Sequence, residues 1–300
     1  MKKEMQKKVL PTSDLLFKKV FASPQNSHIL IGFINDVLEL GVTEVTIEDT
    51  YDIRMFYDEN KEPRFRYTQV DVQARLTSGA IVTIEMQLCK KKLFKERALY
   101  YTTNVYGSNY GMHSLEIKDC GYGRDEIKYS ALRPVYCVCV MADNELTDND
   151  DPISIFQMYD RKHERAYRGI DGTELLTMVF LELRKYNEGM QKNIRDWFDY
   201  FRQGEVEENA PEYIKDACKM ANYQKLSEEE RQVISREELY REDMKAREWY
   251  VWEEGKTAGL EEGREEERAN IIKSMISRGK TIEEISEFTG LSEDEIKNII

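Results

Sequence analysis

The sequence predicts an α/β protein in which a mixed β-sheet is flanked by helices and followed by an all-helical C-terminal arm. Three observations lead to this fold class. Several short segments alternate apolar and polar residues with a period of two, which is typical of strands. A segment with helical spacing separates the early strands from the later ones, so parallel as well as antiparallel pairing is expected. From about residue 190 onward, every periodic segment is helical.

The individual elements can be predicted in order along the chain. A first helix has Thr12 or Ser13 as its N-cap and is broken at Ser23-Pro24, and a second helix ends near Gly41. The later predicted elements are a strand at 43–55, a hairpin at 66–88, a helix at 92–112 and strands at 134–141, 153–159 and 176–183.

The C-terminal third of the chain divides by composition. The polar stretch 203–211, which ends in a proline, predicts a boundary after a first domain of residues 1–204. A helical, partly coiled-coil-like arm at 205–270 and a small helical module at 271–300 would follow. The residues with the seven-and-four spacing of a coiled-coil seam are Val233, Tyr240, Met244 and Val251. Three glycines four residues apart after this seam fit either a packing face or a solvated helix.

Composition and charge restrict the kind of protein. Five cysteines without framework spacing predict reduced thiols, and no apolar run approaches the roughly 18 residues of a membrane span. We therefore expect a cytoplasmic protein without a membrane segment. The net charge is −13, but residues 205–268 hold 20 acidic and 11 basic residues, or −9. Residues 1–204 are close to neutral, and their basic run KKKLFKER at 90–97 could bind phosphates.

The predicted hairpin carries acidic residues at positions where strands seldom have them. Asp71 and Glu85 are each seven residues from Ser78 in the turn at 77–79, so they would lie nearly opposite one another. Glu85 and Gln87 share one face of their strand, because side chains at i and i+2 point the same way. Two opposed carboxylates repel each other and favour a cation such as Mg²⁺, although two solvated strand faces with incidental acids would give the same pattern.

These acids resemble the active-site motif of the PD-(D/E)XK nucleases, which are phosphodiesterases with a restriction-endonuclease-like fold. The motif places an Asp before a turn and Glu-x-Lys on the next strand. Here it is Asp71 and Glu85-Met86-Gln87, with Gln in the place of Lys and Val70 in the place of Pro. More closely, the chain resembles the recombination-promoting nuclease and putative transposase branch of the PD-(D/E)XK superfamily. The segments that carry this resemblance, in the family's order, are SDLLFKKVF (13–21), VDVQ (70–73), TIEMQL (83–88), ERALYYTTNVY (96–106), YSALRPVYCVCV (129–140) and FLELRKY (180–186).

The resemblance implies a Mg²⁺-dependent DNA endonuclease that promotes recombination or is linked to mobile elements. Asp71 and Glu85 would ligate Mg²⁺. Asp14 on the first helix would be a further metal ligand, although an acid at a helix N-terminus is also favoured by the helix dipole. Gln87 would orient the attacking water. Since Gln87 is not a base near neutrality, the metal would have to generate the nucleophile.

DNA contacts are implied beside the metal. Arg97, Lys90 and Lys92 are candidates for contacts to phosphates, and Tyr101 is a candidate for stacking on a base. Each of these residues has a plainer interpretation. The cations could belong to an ordinary solvated surface, and Tyr101 could be a core residue.

Two rival functions remain open beside the endonuclease. Gln87 in the place of Lys is compatible with a catalytically inactive nucleic-acid-binding or protein-interaction protein that retains the nuclease fold. A glycosidase with two catalytic carboxylates is disfavoured, because nothing else in the sequence indicates a sugar cleft.

The last thirty residues carry two capping boxes, Thr281 with Glu284 and Ser292 with Glu295. They resemble a small helix-turn-helix, but its second helix offers few of the cations that a DNA reader presents. We therefore expect the arm and this module to join two copies of the chain as a homodimer.

Overall fold

The structure, a computed structural model, describes residues 10–48, 51–57, 63–88, 92–110, 128–129, 131–143, 146–169, 171–222 and 225–299. Residues 51–57, 63–69, 241 and 248 are described by their backbone alone. The chain forms two compact units, Met1–Ile234 and Ser235–Ile300.

The regular elements of the described residues are as follows. The strands are β1 (Val45–Glu48), β2 (Tyr51–Tyr57), β3 (Pro63–Gln69), β4 (Val72–Leu76), β5 (Ile81–Gln87), β6 (Val135–Met141), β7 (Ile153–Gln157), β8 (Tyr159–Asp160), β9 (Arg165–Ala166) and β10 (Leu176–Glu182). The α-helices are α1 (Asp14–Phe21), α2 (Ser27–Leu38), α3 (Phe94–Ser108), α4 (Lys192–Gln203), α5 (Glu212–Met220), α6 (Glu228–Ser277), α7 (Ile282–Thr289) and α8 (Glu293–Ile299).

A mixed sheet in the first unit confirms the predicted fold class. Among the described residues, six strands form this sheet in the order β1-β4-β5-β6-β10-β7. β5, β6 and β10 run parallel to one another. β4 pairs antiparallel with β1 and β5, and β7 pairs antiparallel with β10. The chain therefore needs a helical connection between β5 and β6, and α3 lies there.

The hairpin register is confirmed, whereas its predicted starting point is wrong. Val72 lies opposite Ile84 and Gln73 lies opposite Thr83, as the turn at 77–79 predicts. The predicted strand at 43–55 corresponds to two strands: β1 belongs to the main sheet, and β2 pairs with β3 in a separate two-stranded sheet of the described residues. The hairpin therefore begins at Val72 and not at residue 66. Alternation of side chains predicts a strand, but it does not tell which partner the strand takes.

One face of the sheet is covered by α1, α2, α4 and α5. Their apolar stripes meet in an aromatic cluster, in which the rings of Phe33 and Trp197 lie 5.0 Å apart edge to face and those of Phe21 and Trp197 lie 5.8 Å apart. In α1, four apolar side chains with helical spacing have no exposed surface. They are Leu16, Phe17, Val20 and Phe21. This burial fixes the position of α1 on the sheet.

The other face of the sheet is covered by α3. Phe94 and Ala98 of α3 pack with Cys139 of β6 and Phe180 of β10 in a second apolar cluster. Because β5 alternates, Ile84 and Met86 point to the first face, and Glu85 and Gln87 point towards α3. The predicted end of this helix at residue 112 falls beyond Tyr110, outside the described residues.

The regular elements described after residue 190 are helices, as predicted. α4 and α5 belong to the core of the first unit, since Trp197, Phe201 and Ile214 are buried there. The two units divide between Ile234 and Ser235, so the position 204/205 falls inside the first unit. The functional division into 1–204, 205–270 and 271–300 stays a prediction.

The second unit has a small apolar core of its own, formed by Ile272, Ile285 and Ile296. Its predicted capping boxes are present. The backbone N–H of Glu284 donates to Thr281 Oγ1 at 3.3 Å, and the backbone N–H of Thr281 donates to the Glu284 carboxylate at 3.0 Å. Ser292 and Glu295 exchange the same pair of bonds. No helix of the described residues is both long enough and apolar enough to span a membrane.

Gly32→Ala on α2 should lower the free energy of unfolding by about 1–3 kcal/mol. A Cβ at this position would lie 2.4 Å from the ring of Tyr213, and the hydroxyl of that tyrosine donates to Asp36 at 2.8 Å, which restrains the ring. Urea unfolding of the variant measures the loss. Gly255→Ala is the matched control, because nothing lies within 4 Å of the Cβ it would add. Equal effects of the two substitutions would contradict the close packing of α2 against α5.

Candidate active site

The predicted site lies at the edge of the sheet where β5 ends and β4 begins. Asp71 directly precedes β4, and Glu85 and Gln87 lie at the end of β5. The register that pairs Val72 with Ile84 brings residue 71 beside residue 85. The ends of the parallel strands β6 and β10 lie at the same edge. The turn at 77–79 thus sets which residues meet at this edge.

Asp71 is anchored to β5 by its own side chain. The backbone N–H of Met86 donates to Asp71 Oδ2 at 2.8 Å. The ladder between β4 and β5 ends at Val72, so the carboxylate satisfies a backbone donor that has no ladder partner on β4. One oxygen of Asp71 is therefore fixed at the strand, and the other, Oδ1, is directed to α1.

A lysine of α1 lies beside two carboxylates. Lys18 Nζ is 3.0 Å from Asp14 Oδ1 and 3.6 Å from Asp71 Oδ1. Asp14 and Lys18 are four residues apart on one helix face, which favours their contact. Asp14 thus contacts Lys18, and its role as a metal ligand stays a prediction.

The electrostatics of Asp71 are unfavourable for a carboxylate. Burial and the neighbouring charge of Asp14 raise the pKa of Asp71 above its ordinary value, although the Met86 N–H and Lys18 oppose the rise. Partial burial lowers the pKa of Lys18, but the hydrogen bond and charge of Asp14, together with Asp71, outweigh burial and raise it. The site therefore holds a half-buried carboxylate, with 23% of its side chain exposed, that a second cation would stabilise.

The negative charges of Glu85 and Asp71 influence the pKa of the Cys139 thiol. Cys139 lies opposite Glu85 in the parallel pairing of β5 with β6 and is buried. The pKa of Cys139 is raised by its hydrogen bond with Cys137, by burial, and by the negative charges of Glu85 and Asp71. Glu85 therefore lies beside this thiol, on the side of the sheet that α3 covers.

Gln87 stands where the nuclease motif has its lysine. Its side chain is buried, with 7% of the residue exposed. Its backbone carbonyl accepts a hydrogen bond from the N–H of Ala142 at 2.9 Å, which fixes the end of β5 to the chain after β6. An amide can both donate and accept, so Gln87 can orient a water molecule, but it brings no charge.

The candidate DNA contacts lie on and before α3. The Arg97 guanidinium lies 5.6 Å from the centre of the Tyr101 ring, and its Nη2 donates to the Tyr101 hydroxyl at 3.3 Å. Tyr101 thus holds Arg97. Lys92 is exposed just before the helix. Lys90 lies outside the described residues.

The donors at the sheet edge fit a small hard cation. Mg²⁺ is usually held by one or two carboxylates and keeps several waters. Asp71 and Glu85 would supply two carboxylates, and the carbonyl of Met86, which lies between Glu85 and Gln87, would supply a neutral oxygen. A ready-made cluster of three or more His, Cys, Asp or Glu side chains does not occur among the described residues. A cation bound by two carboxylates would therefore leave most of its coordination to water and substrate.

The position of Lys18 beside Asp71 is not among the features predicted from the sequence. The sequence does contain one signal, because Asp14 and Lys18 have the i, i+4 spacing of a helical ion pair. The contact with Asp71, however, joins residues far apart in the chain and depends on how α1 packs against the sheet.

The mixed sheet and the paired carboxylates at its edge define an α/β fold of the PD-(D/E)XK nuclease type. The family model described as PD-(D/E)XK nuclease family transposase matches residues 11–248. Because this match spans most of the chain, the chain belongs to that family, which confirms the resemblance found in the sequence and implies a nuclease-like activity. No match was found among curated proteins or among solved structures.

Asp71→Asn should raise stability at neutral pH in the presence of a chelator. Between the ordinary pKa of 3.8 and its raised value in the folded protein, the unfolded chain loses the Asp71 proton while the folded chain keeps it. Wild-type stability therefore falls as pH rises through this window and stays reduced above it. An amide escapes this loss and still accepts from Met86. Thermal unfolding at pH values below and above this window measures the gain, which should be larger above the window.

Asp160→Asn is the control for this effect. Hydrogen bonds from His163 lower the pKa of Asp160, so its ionised form is favoured in the folded protein. Relative to wild type, the amide variant should therefore be less stable by a constant amount at every pH above the ordinary aspartate pKa of 3.8. A loss in both variants would contradict the electrostatic account of Asp71.

Proposed function

We propose that the chain is a Mg²⁺-dependent endonuclease that hydrolyses phosphodiester bonds in DNA. The observation that carries this proposal is the half-buried carboxylate of Asp71, fixed at 2.8 Å from the Met86 nitrogen and adjacent in register to Glu85. Membership of a nuclease family supports the same chemistry. The surroundings of Asp71 disfavour its ionised form, yet the side chain is fixed in place. Such a carboxylate is more typical of a functional site than of an ordinary hairpin.

Hydrolysis makes limited demands on the protein. A water oxygen bonds to phosphorus, the bond from phosphorus to the leaving oxygen breaks, the water gives up one proton to solvent, and the leaving oxygen takes up one. Bound Mg²⁺ would lower the pKa of water and neutralise charge on the phosphate. Asp71 and Glu85 would hold the cation, and the end of β5 would set its position relative to the scissile bond.

Gln87 positions the water. Its amide is at the end of β5, two residues after Glu85 and on the same face. It accepts a hydrogen bond from the water or donates one to a phosphate oxygen, and it takes no proton in the reaction. Arg97, held by Tyr101, and the exposed Lys92 contact the DNA backbone beside the site. The proposed contact of Lys90 with the backbone follows from its place in the sequence alone.

Asp71→Ala and Glu85→Gln should each lower cleavage by on the order of 10³-fold or more, because each removes a ligand of the cation on which the reaction depends. Nicking of supercoiled plasmid in Mg²⁺, with a chelator control, measures the loss. DNA binding in Ca²⁺, measured by fluorescence anisotropy, should persist in both variants. The matched control is Glu283→Gln in the second unit, which should cleave like wild type. Full cleavage by both site variants would show that another site does the chemistry.

A second candidate function is nucleic-acid binding without cleavage. The observation that favours it is the neutral Gln87 at the position where the motif provides a cation. In that case wild type would bind DNA and leave it intact in Mg²⁺ and in Mn²⁺. Substitutions at Asp71 would then change stability without changing any activity on DNA.

Self-association is proposed for the arm and the C-terminal module. α6 exposes an unusual number of large apolar side chains for a helix in water. Those more than half exposed are Leu239, Tyr240, Trp249, Tyr250, Val251, Trp252 and Leu260. The first turn of α8 carries Glu293, Asp294 and Glu295, which would repel a phosphate backbone. A second copy of the chain is therefore the proposed partner, and two nuclease units brought together would suit cutting of both strands. Double-strand breaks of this kind would promote recombination. The proposed location of the protein is the reducing cytoplasm.

Tyr240→Glu combined with Val251→Glu should shift the protein from dimer to monomer at tens of micromolar. These residues lie eleven positions apart, or about three helical turns, and therefore share one face of the helix. Glutamates on this face would place like charges in the apolar helix–helix interface and destabilise it. Light scattering measures the mass. Trp249→Glu is the matched control, because nine residues from Tyr240 place it on the opposite face of the helix. A wild-type chain that is monomeric at this concentration would contradict the proposal.

A further inference from the structure

We propose that Lys18 of α1 supplies the positive charge that the active site lacks at Gln87, and that Asp14 is the counter-ion that positions Lys18. This inference rests on the proposed nuclease function. Phosphodiester hydrolysis places developing negative charge on the phosphate oxygens, and a fixed cation beside them stabilises the transition state. With an amide at the end of β5, that cation has to come from another element of the fold.

The position of Lys18 meets this need. Its ammonium is 3.6 Å from Asp71 Oδ1, the oxygen that Met86 leaves unoccupied. α1 is held on the sheet by four fully buried apolar side chains, so Lys18 is brought to the site by a rigid element. The Lys18 side chain is 33% exposed, which leaves its ammonium within reach of a ligand at the sheet edge.

Asp14 has a different role in this arrangement from that of a metal ligand. Its carboxylate holds the Lys18 ammonium at 3.0 Å, and its own side chain is 52% exposed. A cation ligated by Asp14 would have to compete with Lys18 for this carboxylate. The geometry therefore divides the acids of the site: Asp71 and Glu85 bind the divalent cation, and Asp14 orients the lysine.

The neighbouring lysine provides an unusually close comparison. Lys19 is on the same helix, its side chain is 32% exposed, and its ammonium is also paired with a carboxylate, that of Glu230 at 2.6 Å. The two lysines thus match in exposure, helix position and ion pairing. They differ in that only Lys18 contacts a residue of the proposed metal site among the contacts described for the pair.

A charge role and a structural role of Lys18 predict different results. An ammonium beside Asp71 repels a divalent cation, so removing its charge should tighten Mn²⁺ binding about tenfold. The same change removes stabilisation of the transition state and should slow cleavage on the order of 10²-fold. A lysine that only stabilises the fold would weaken both properties when it is replaced.

The experiment compares Lys18→Met, Lys18→Gln and Lys19→Met with wild type in the full-length protein. Calorimetry measures Mn²⁺ affinity without DNA, and single-turnover assays with saturating Mg²⁺ measure cleavage. We expect both Lys18 variants to bind Mn²⁺ more tightly and to cleave more slowly, and Lys19→Met to change neither property. Lys18→Gln keeps a donor for Asp14 without the charge, so it also covers the case in which Lys18→Met fails to fold.

Rescue by a relocated charge completes the test. Gln87→Lys should restore cleavage to Lys18→Gln, to within about tenfold of wild type, because it returns a cation to the place where the motif has one. If wild type cleaves and the Lys18 variants cleave equally well, the inference about Lys18 is wrong and the nuclease function stands. If neither wild type nor Gln87→Lys cleaves, the proposed function itself fails. If the Lys18 variants cleave more slowly and also bind Mn²⁺ more weakly, Lys18 has only a structural role and the inference is wrong.

Discussion

The site depends on one hydrogen bond, from the backbone N–H of Met86 to the carboxylate of Asp71 at 2.8 Å. It lies where the ladder between β4 and β5 ends, so a side chain replaces a strand partner at that point. The bond fixes one oxygen of Asp71 and directs the other towards Lys18 on α1. The hairpin register brings Glu85 to the same edge. The carboxylates, the amide of Gln87 and the lysine of α1 are thereby brought to one edge of the sheet.

The electrostatics of the Asp71 carboxylate oppose folding in the absence of a ligand. Burial raises the pKa of Asp71, and the charge of Asp14 raises it further. A protein selected for stability alone would be expected to replace such a carboxylate with a neutral residue. A ligand that binds the folded chain through Asp71 would recover the lost stability by mass action. The same Asp71 carboxylate therefore lowers the stability of the unliganded fold and is the proposed ligand of the catalytic cation.

Local patterns in the sequence predicted the features that depend on neighbouring residues. The turn at 77–79 gave the pairing of Val72 with Ile84, and alternation gave the shared face of Glu85 and Gln87, because both follow from strand geometry. The partner of β2 and the contact between Lys18 and Asp71 could not be predicted in this way. They depend on which elements pack together, and a single sequence with several amphipathic segments does not specify that.

The location of a bound divalent cation tests the central claim most directly. Anomalous diffraction from crystals grown with Mn²⁺ would locate the ion without reliance on any activity. The account predicts one ordered Mn²⁺ about 2.0–2.3 Å from carboxylate oxygens of both Asp71 and Glu85, with Lys18 beside it and not replaced by it. An ion held by Asp14 with Lys18 displaced, or no ordered ion at this edge at saturating Mn²⁺, would contradict it.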